Sequence, residues 1–296
     1  MIYEEMGEIT KNIEVAQETY LMKLVLTNAV QNRICPGQFL HLQLNNINYY
    51  GAQANNSTDI TSPTASPTYM LTDPFLRRPF SIHDVEKLNS ELAILYKIVG
   101  KGTFLLSKRQ PGERLKVLAP LGRGFTLAEE KKVLLISGGM GIAPMYFLMK
   151  ELMKRQCKVT VLAGFNNKKQ SEAISLLENL GCDVQVCTED GSIGHHGLVI
   201  DLFEKHINSQ GKNIDFIYTC GPEKMMAKIA SRANNRKIPV ELSLEKQMAC
   251  GIGACKGCTC VSSAKSSENR SSEYGDFKYT CIDGPVFNGK EVVLDG

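Results

Sequence analysis

The stretch "KKVLLISGGMGIAPM", Lys131 to Met145, decides the fold. Five apolar or small residues after two lysines make a buried strand, and the glycines that follow end it in a tight turn. The next run, "IAPMYFLMKELMKRQ" from Ile142 to Gln156, has apolar residues at helical spacing. Strand, glycine turn and helix in this order form the opening unit of a nucleotide-binding α/β sheet. Gly138, Gly139 and Gly141 suit close backbone approach to a phosphate at a helix N-terminus, and Pro144 takes the place of the third glycine of G-x-G-x-x-G.

Downstream, "KVTVLAGF", "DVQVCTED" and "DFIYTCG" repeat the strand theme, each separated by a helix-like segment. Alternation of this kind predicts a parallel sheet covered by helices on both faces. Two turns fall at the C-terminal ends of these strands, where open α/β sheets gather ligands. One carries Asp190 and Gly191 in "TEDGSIGHHG", and the other carries Cys220, Gly221 and Pro222 in "CGPEKMM". His195 and His196, set among glycines, read as a flexible solvated loop. "KVTVLAGFNNKK" ends without the acidic residue that takes a ribose 2′-hydroxyl, and Lys168 and Lys169 there can meet a 2′-phosphate or simply face solvent.

Upstream, to about Phe125, the chain changes character. Short runs such as "TYLMKLVLTN", "GQFLHLQL" and "LAILYKIVG" alternate apolar and polar residues, broken by Pro36-Gly37, Pro111-Gly112 and Gly122. This spacing predicts a small antiparallel barrel. The polar stretches at 51–70 and 261–275 read as surface excursions.

The cysteines are distributed unevenly. Of ten, five (Cys35, Cys157, Cys182, Cys187 and Cys220) stand alone among strand-like residues and read mostly as small buried hydrophobes. The other five lie in the last 47 residues. Cys250, Cys255 and Cys258 form C-x4-C-x2-C, the spacing of plant-type [2Fe–2S] ferredoxins, which use a distant fourth cysteine. Cys260 and Cys281 remain as candidates for that place. Zinc sites favour two C-x2-C pairs, which an x4 loop fits poorly.

Composition excludes several classes. With 296 residues, the chain is expected to divide into two domains and a small appendage. A net charge of +3 argues for neither nucleic acid nor an anionic membrane surface. No apolar run reaches the roughly 18 residues of a membrane span. The start, "MIYEEMGEITKNIEV", is acidic and polar, unlike a secretory signal. Ten cysteines beside such a start suggest a reducing, cytoplasmic setting. No serine–histidine–acid set and no HExxH motif anchors a hydrolase, and no catalytic side chain is assigned.

In "FLRRPFSIHD", a strand carries R-P-x-S at Arg78 to Ser81, and "LYKIVGKGT" follows with Leu95, Tyr96, Lys97, Gly102 and Thr103. This pair resembles the flavin site of the ferredoxin–NADP reductase superfamily. Arg78 can fork onto a phosphate, and Ser81 offers a hydroxyl at the isoalloxazine edge. Tyr96 can lie against the ribityl chain or the ring. Barrel, G-G-x-G-x-x-P sheet and C-terminal cysteine segment, in that order, resemble the electron-transfer subunits of type B dihydroorotate dehydrogenase. The matching motifs are "RRPFSI", "ISGGMGIAP", "EDGSIGHHG", "CGPEKMM", "MACGIGACKGC" and "CIDGPVF", spread from residue 77 to 287.

The resemblance implies three units: an FAD-binding barrel over 1–126, a Rossmann-like NAD-binding domain over 127–245 and a [2Fe–2S] segment over 246–296. It implies flavin contacts from Arg78, Pro79, Phe80, Ser81, Leu95, Tyr96, Lys97, Gly102 and Thr103. Nicotinamide contacts would come from Gly138, Gly139, Gly141, Pro144, Asp190, Gly191, Cys220, Gly221 and Pro222. The cluster ligands carried over are Cys250, Cys255, Cys258 and Cys281, which leaves Cys260 as an extra thiol beside the site. A partner subunit containing FMN would oxidise dihydroorotate, in a heterotetramer of two copies of each. Related subunits serve sulfite reductases or hydrogenases. A zinc-stabilised interaction module is the non-enzymatic alternative.

Overall fold

The computed structural model describes residues 2–27, 32–44, 74–178, 180–210, 214–263 and 276–294. The excursion expected at 51–70, and residues 264–275 of the second one, lie outside the described residues.

Six strands close the N-terminal barrel in the order β1-β2-β5-β4-β3-β6, every pairing antiparallel. They are β1 (Tyr3–Ala16), β2 (Thr19–Val25), β3 (Phe39–Gln43), β4 (Arg78–Glu86), β5 (Glu91–Lys97) and β6 (Arg114–Leu121). Alternation sends Leu40, Leu42, Phe80, Ile82, Leu92 and Ile94 into one core, while their neighbours face outward. The short helix α1 (Lys101–Ser107) follows β5. Its first turn is capped by Thr103, whose Oγ1 accepts from the amides of Val99 (2.9 Å) and Gly100 (3.2 Å).

The second unit is a seven-stranded sheet ordered β10-β9-β8-β7-β11-β12-β15. Strands β7 (Lys132–Gly138), β8 (Lys158–Phe165), β9 (Asp183–Thr188), β11 (Phe216–Cys220) and β12 (Val240–Ser243) run parallel. Helix α2 (Met145–Lys154) covers one face. Helices α3 (Val199–Gln210) and α4 (Glu223–Asn235) cover the other. The run that opened the sequence reading is therefore β7, a glycine-led 3₁₀ turn at Gly139–Ile142, and α2.

Two details differ from the sequence reading. His195 and His196 form the two-residue edge strand β10, paired parallel to Cys187 and Thr188 of β9, rather than a free loop. Gly194, at φ +69°, permits this return, because a β-carbon there would fall onto the carbonyl of Val186. The C-terminal segment also enters the sheet, since β15 (Val286–Asn288) pairs antiparallel with β12. A small ribbon, β13 (Thr259–Val261) with β14 (Phe277–Tyr279), completes the segment. Among the isolated cysteines, Cys157, Cys187 and Cys220 are buried as expected, Cys182 is half-buried, and Cys35 is exposed.

Candidate functional site: a barrel-face cavity beside a four-thiol loop

A cavity of about 750 Å³ opens where barrel, sheet and cysteine segment meet. The barrel contributes Phe39, Arg78, Pro79, Phe80, Ser81, Leu95, Tyr96, Lys97 and Thr103. The sheet side adds Met140 and Ala143, and the chain leaving β12 adds Ser243 to Met248. Its volume falls within the range of small-molecule and cofactor sites.

Most of the flavin contacts expected from the sequence gather here. Gly102 stands just behind the wall, where a β-carbon would lie 3.2 Å from Arg78 Nε, so the bare glycine lets the guanidinium stem pass over the start of α1. The amides of Lys101, Gly102 and Thr103 precede the helix's first internal bond, Phe104 N–H to Gly100 O (2.9 Å). Arginine beside first-turn amides is a donor set suited to a phosphate. Tyr96 lines the cavity with its ring, which stacks on Tyr20 at 5.7 Å, while its hydroxyl donates to Asn12 Oδ1 (2.9 Å). Burial raises the Tyr96 phenol well above its ordinary pKa.

The expected nicotinamide residues lie elsewhere: none of them lines this cavity. Gly138, Gly139, Gly141 and Pro144 form the turn after β7, packed against Cys220, Gly221 and Pro222 after β11. A β-carbon at Gly141 would fall onto the Cys220 carbonyl oxygen, which explains the glycine there. Cys220 is fully buried, and desolvation pushes its thiol well up, with the Glu245 carboxylate adding to the effect. Asp190 and Gly191 sit on an exposed turn at the same sheet edge, where Asp190 accepts from Ser192 N–H (2.9 Å) and Oγ–H (2.6 Å). These hydrogen bonds lower the Asp190 pKa. Glu245 lines the cavity, and desolvation raises its carboxyl.

The cysteine loop lies against the other side of the same wall. Phe39, Leu121, Cys258 and Cys281 form one buried cluster with Met248 and Tyr279 packed on it. Phe39 and Met248 also line the cavity. The Cys250 thiol lies near that of Cys255, and the Cys281 thiol near that of Cys258. Loop amides point at the sulfurs: Ile252 N–H (3.5 Å) and Cys255 N–H (3.4 Å) to Cys250, and Gly253 N–H (3.2 Å) to Cys281. Burial opposes ionisation of Cys250, but the amides of Cys255 and Ile252 outweigh it and bring the thiol down to about 7. Burial and then the neighbouring Cys258 push Cys281 up to about 12.

Cys250, Cys255, Cys258 and Cys281, with loop amides aimed at sulfur, would suit a [2Fe–2S] cluster. Cys260 belongs to a different core, with Phe287 and Val292, and its Sγ–H donates toward Lys278 O at 3.6 Å. Burial raises its thiol.

Sequence reading alone missed Phe39, Met140, Ala143, Glu245 and Met248. Only the last two carried a signal, since they sit between a strand end and the first cysteine.

Comparison with known proteins agrees with this layout. Residues 245–293 match the iron–sulfur cluster binding domain of dihydroorotate dehydrogenase B, and residues 135–231 match the oxidoreductase NAD-binding domain. The chain is 36% identical to the dihydroorotate dehydrogenase B (NAD(+)) electron transfer subunit of Geobacillus kaustophilus, covering 99% of this chain and 100% of that one. It is 35% identical to the protein of the same name from Desulforamulus reducens over 95% of both chains. Among solved structures, an NADH-dependent reduced ferredoxin–NADP oxidoreductase superposes with a TM-score of 0.76 at 26% identity, covering 97% of this chain and 89% of that one. The ferredoxin reductase of carbazole 1,9a-dioxygenase shares the fold, with a TM-score of 0.63 at 16% identity, covering 81% of this chain and 69% of that one.

Proposed function

The chain belongs to the electron-transfer subunits of dihydroorotate dehydrogenase B, and from that premise we propose how its residues divide the work. It takes electrons from a catalytic partner that holds FMN and oxidises dihydroorotate, and delivers them to NAD⁺. Its resident cofactors are a [2Fe–2S] cluster and FAD. When bound, FAD supplies hydride chemistry and splits electron pairs, and the cluster supplies single-electron chemistry.

Cys250, Cys255, Cys258 and Cys281 hold the cluster, with the amides of Ile252, Gly253 and Cys255 stabilising the sulfurs. Arg78, Gly102 and Thr103 hold the flavin phosphates. Pro79, Phe80, Ser81 and Leu95 to Lys97 shape the pocket wall. The turns at Gly138 to Pro144, Asp190-Gly191 and Cys220 to Pro222 receive the nicotinamide nucleotide at the sheet edge. Partner and chain assemble as two copies of each in the cytoplasm. Among the described residues no helix is long and apolar enough to cross a membrane.

One observation supports the reading: Phe39 and Met248 line the cavity and also pack beside Cys258 and Cys281, so one layer of side chains lies between the cavity and the cysteine loop. The test is a visible spectrum of the purified chain titrated with NADH and then NADPH, followed by dihydroorotate:NAD⁺ activity after mixing with the FMN subunit. The expected result is flavin and cluster bands, preference for NADH, and activity only in the mixture. Dihydroorotate oxidation by the chain alone, or a colourless zinc protein, refutes it.

A further inference from the structure

His41 stands in the outward-facing row of β3 and is 0% exposed. Among the described residues neither ring nitrogen has a hydrogen-bond partner. A buried polar group without a partner is uncommon, so the group that its N–H faces becomes the question. The ring edge that carries both nitrogens abuts the cysteine loop. A β-carbon at Gly251, the residue after Cys250, would lie 2.6 Å from His41 Cε1, 2.8 Å from Nε2 and 3.0 Å from Nδ1. Gly251 adopts φ +71°, and its bare Cα lets the imidazole reach this depth. Phe39, two residues back on the same face, stands 5.7 Å from the ring and packs on Cys258 and Cys281.

We propose that His41 is a positioning and tuning residue that donates its ring N–H to the sulfur shell of the cluster held by this loop. The inference rests on the cluster assignment above. An imidazole carries at least one N–H in either charge state, so the donor is always present. A donor aimed at sulfur favours the more negative, reduced cluster and raises its potential. The loop amides already serve Cys250 and Cys281 from the chain itself. His41 would add a donor from the barrel, which ties the cluster's potential to the domain that holds the flavin.

The experiment is an EPR-monitored redox titration of the cluster-loaded chain for the unmutated protein, His41→Leu and His41→Gln. Leucine should shift the equilibrium toward the oxidised cluster by about tenfold, equivalent to about 59 mV for a one-electron couple. Glutamine, which keeps an N–H donor, should restore most of that shift, and the flavin potential should stay in place in both variants. Equal potentials in all three proteins, or equal shifts in both variants, overturn the proposal by reducing His41 to a spacer. If the leucine variant does not hold a cluster, ¹⁵N-histidine labelling of the unmutated chain decides. With five histidines in the chain, pulsed EPR of the reduced cluster should show one imidazole nitrogen coupling, and its absence overturns the proposal. A preparation with no cluster spectrum at all would instead refute the cluster assignment.

Discussion

Cys260 and Cys281 offer a sharp test of the cluster assignment, because burial does not distinguish them. Both are nearly inaccessible, at 6% and 2% exposure, and both lie close to Cys258 in space or sequence. What differs is the surroundings of each sulfur. Cys281 Sγ accepts from Gly253 N–H and faces the Cys258 thiol, whereas Cys260 packs with Phe287 and points toward Lys278 O. Cys260→Ser replaces a buried sulfur with a smaller hydroxyl that sits too far from Lys278 O for a good hydrogen bond. That change should cost about 1–2 kcal/mol, the penalty of a buried and poorly bonded hydroxyl. For a chain of this size the melting temperature falls by roughly 2–8 °C. The cluster's visible bands should survive. Cys281→Ser removes one of four thiolates. A thousandfold weaker hold on the cluster would take away about 4 kcal/mol of linked stability. Iron and sulfide content should fall by more than half, and the visible bands should go with them. Iron analysis, spectrum and thermal melt on both variants decide the matter. A bleached Cys260→Ser beside an intact Cys281→Ser would show that the ligand set is wrong.

Other parts of the site can be probed in the same way. Arg78→Met should weaken FAD binding about 10- to 100-fold, the worth of a charge-assisted contact, in a fluorescence titration of flavin-free protein. Gly141→Ala sets a β-carbon against the Cys220 backbone and should cost about 1–3 kcal/mol in urea unfolding. Gly139→Ala meets open space and suffers only its φ of +54°, so it should cost about 1 kcal/mol. His83 is buried, donates Nδ1–H to Ala143 O (2.7 Å), and is held by desolvation at a pKa of about 4 against an ordinary 6.5. The unfolded imidazole therefore binds a proton across this window while the folded one does not. Stability should fall as pH drops from 6.5 toward 4, by up to about 3 kcal/mol, and His83→Gln should flatten that limb of a pH-dependent melt.

Legibility in the sequence followed the range of the interactions. The runs Lys132–Gly138 and Phe216–Cys220 announce themselves as buried parallel strands because each needs only its own apolar residues and the glycine after it. The cysteine spacing is equally local, since a loop of four residues must wrap a compact core. Residues that owe their position to a partner strand were not legible. Phe39 and His41 look like ordinary members of an alternating strand, and only closure of the barrel turns them toward the cysteine loop. His195 and His196 pair with β9 because Gly194 turns the chain back, a contact that local polarity hides. Cys260 follows Cys258 at a spacing that suggests a shared face, yet it enters the sheet-side core while Cys258 packs on Phe39.

The cavity and the cysteine loop share one strand pair, and this constrains how the protein can vary. In β3, Leu40 and Leu42 fill the barrel while Phe39 and His41 point out of it. Across the ladder Phe39 pairs with Ser81 and His41 with Pro79, so the outward rows of β3 and β4 form one continuous surface. One half of that surface lines the cavity and the other half carries the cysteine loop. A slip of one residue in β3 would send both leucines outward and draw Phe39 and His41 into the barrel, removing the floor of both sites together. Neither site can therefore move on the barrel without moving the other. The separation between cavity and cysteine loop is set by strand pairing in a closed barrel rather than by the loops on either side of it.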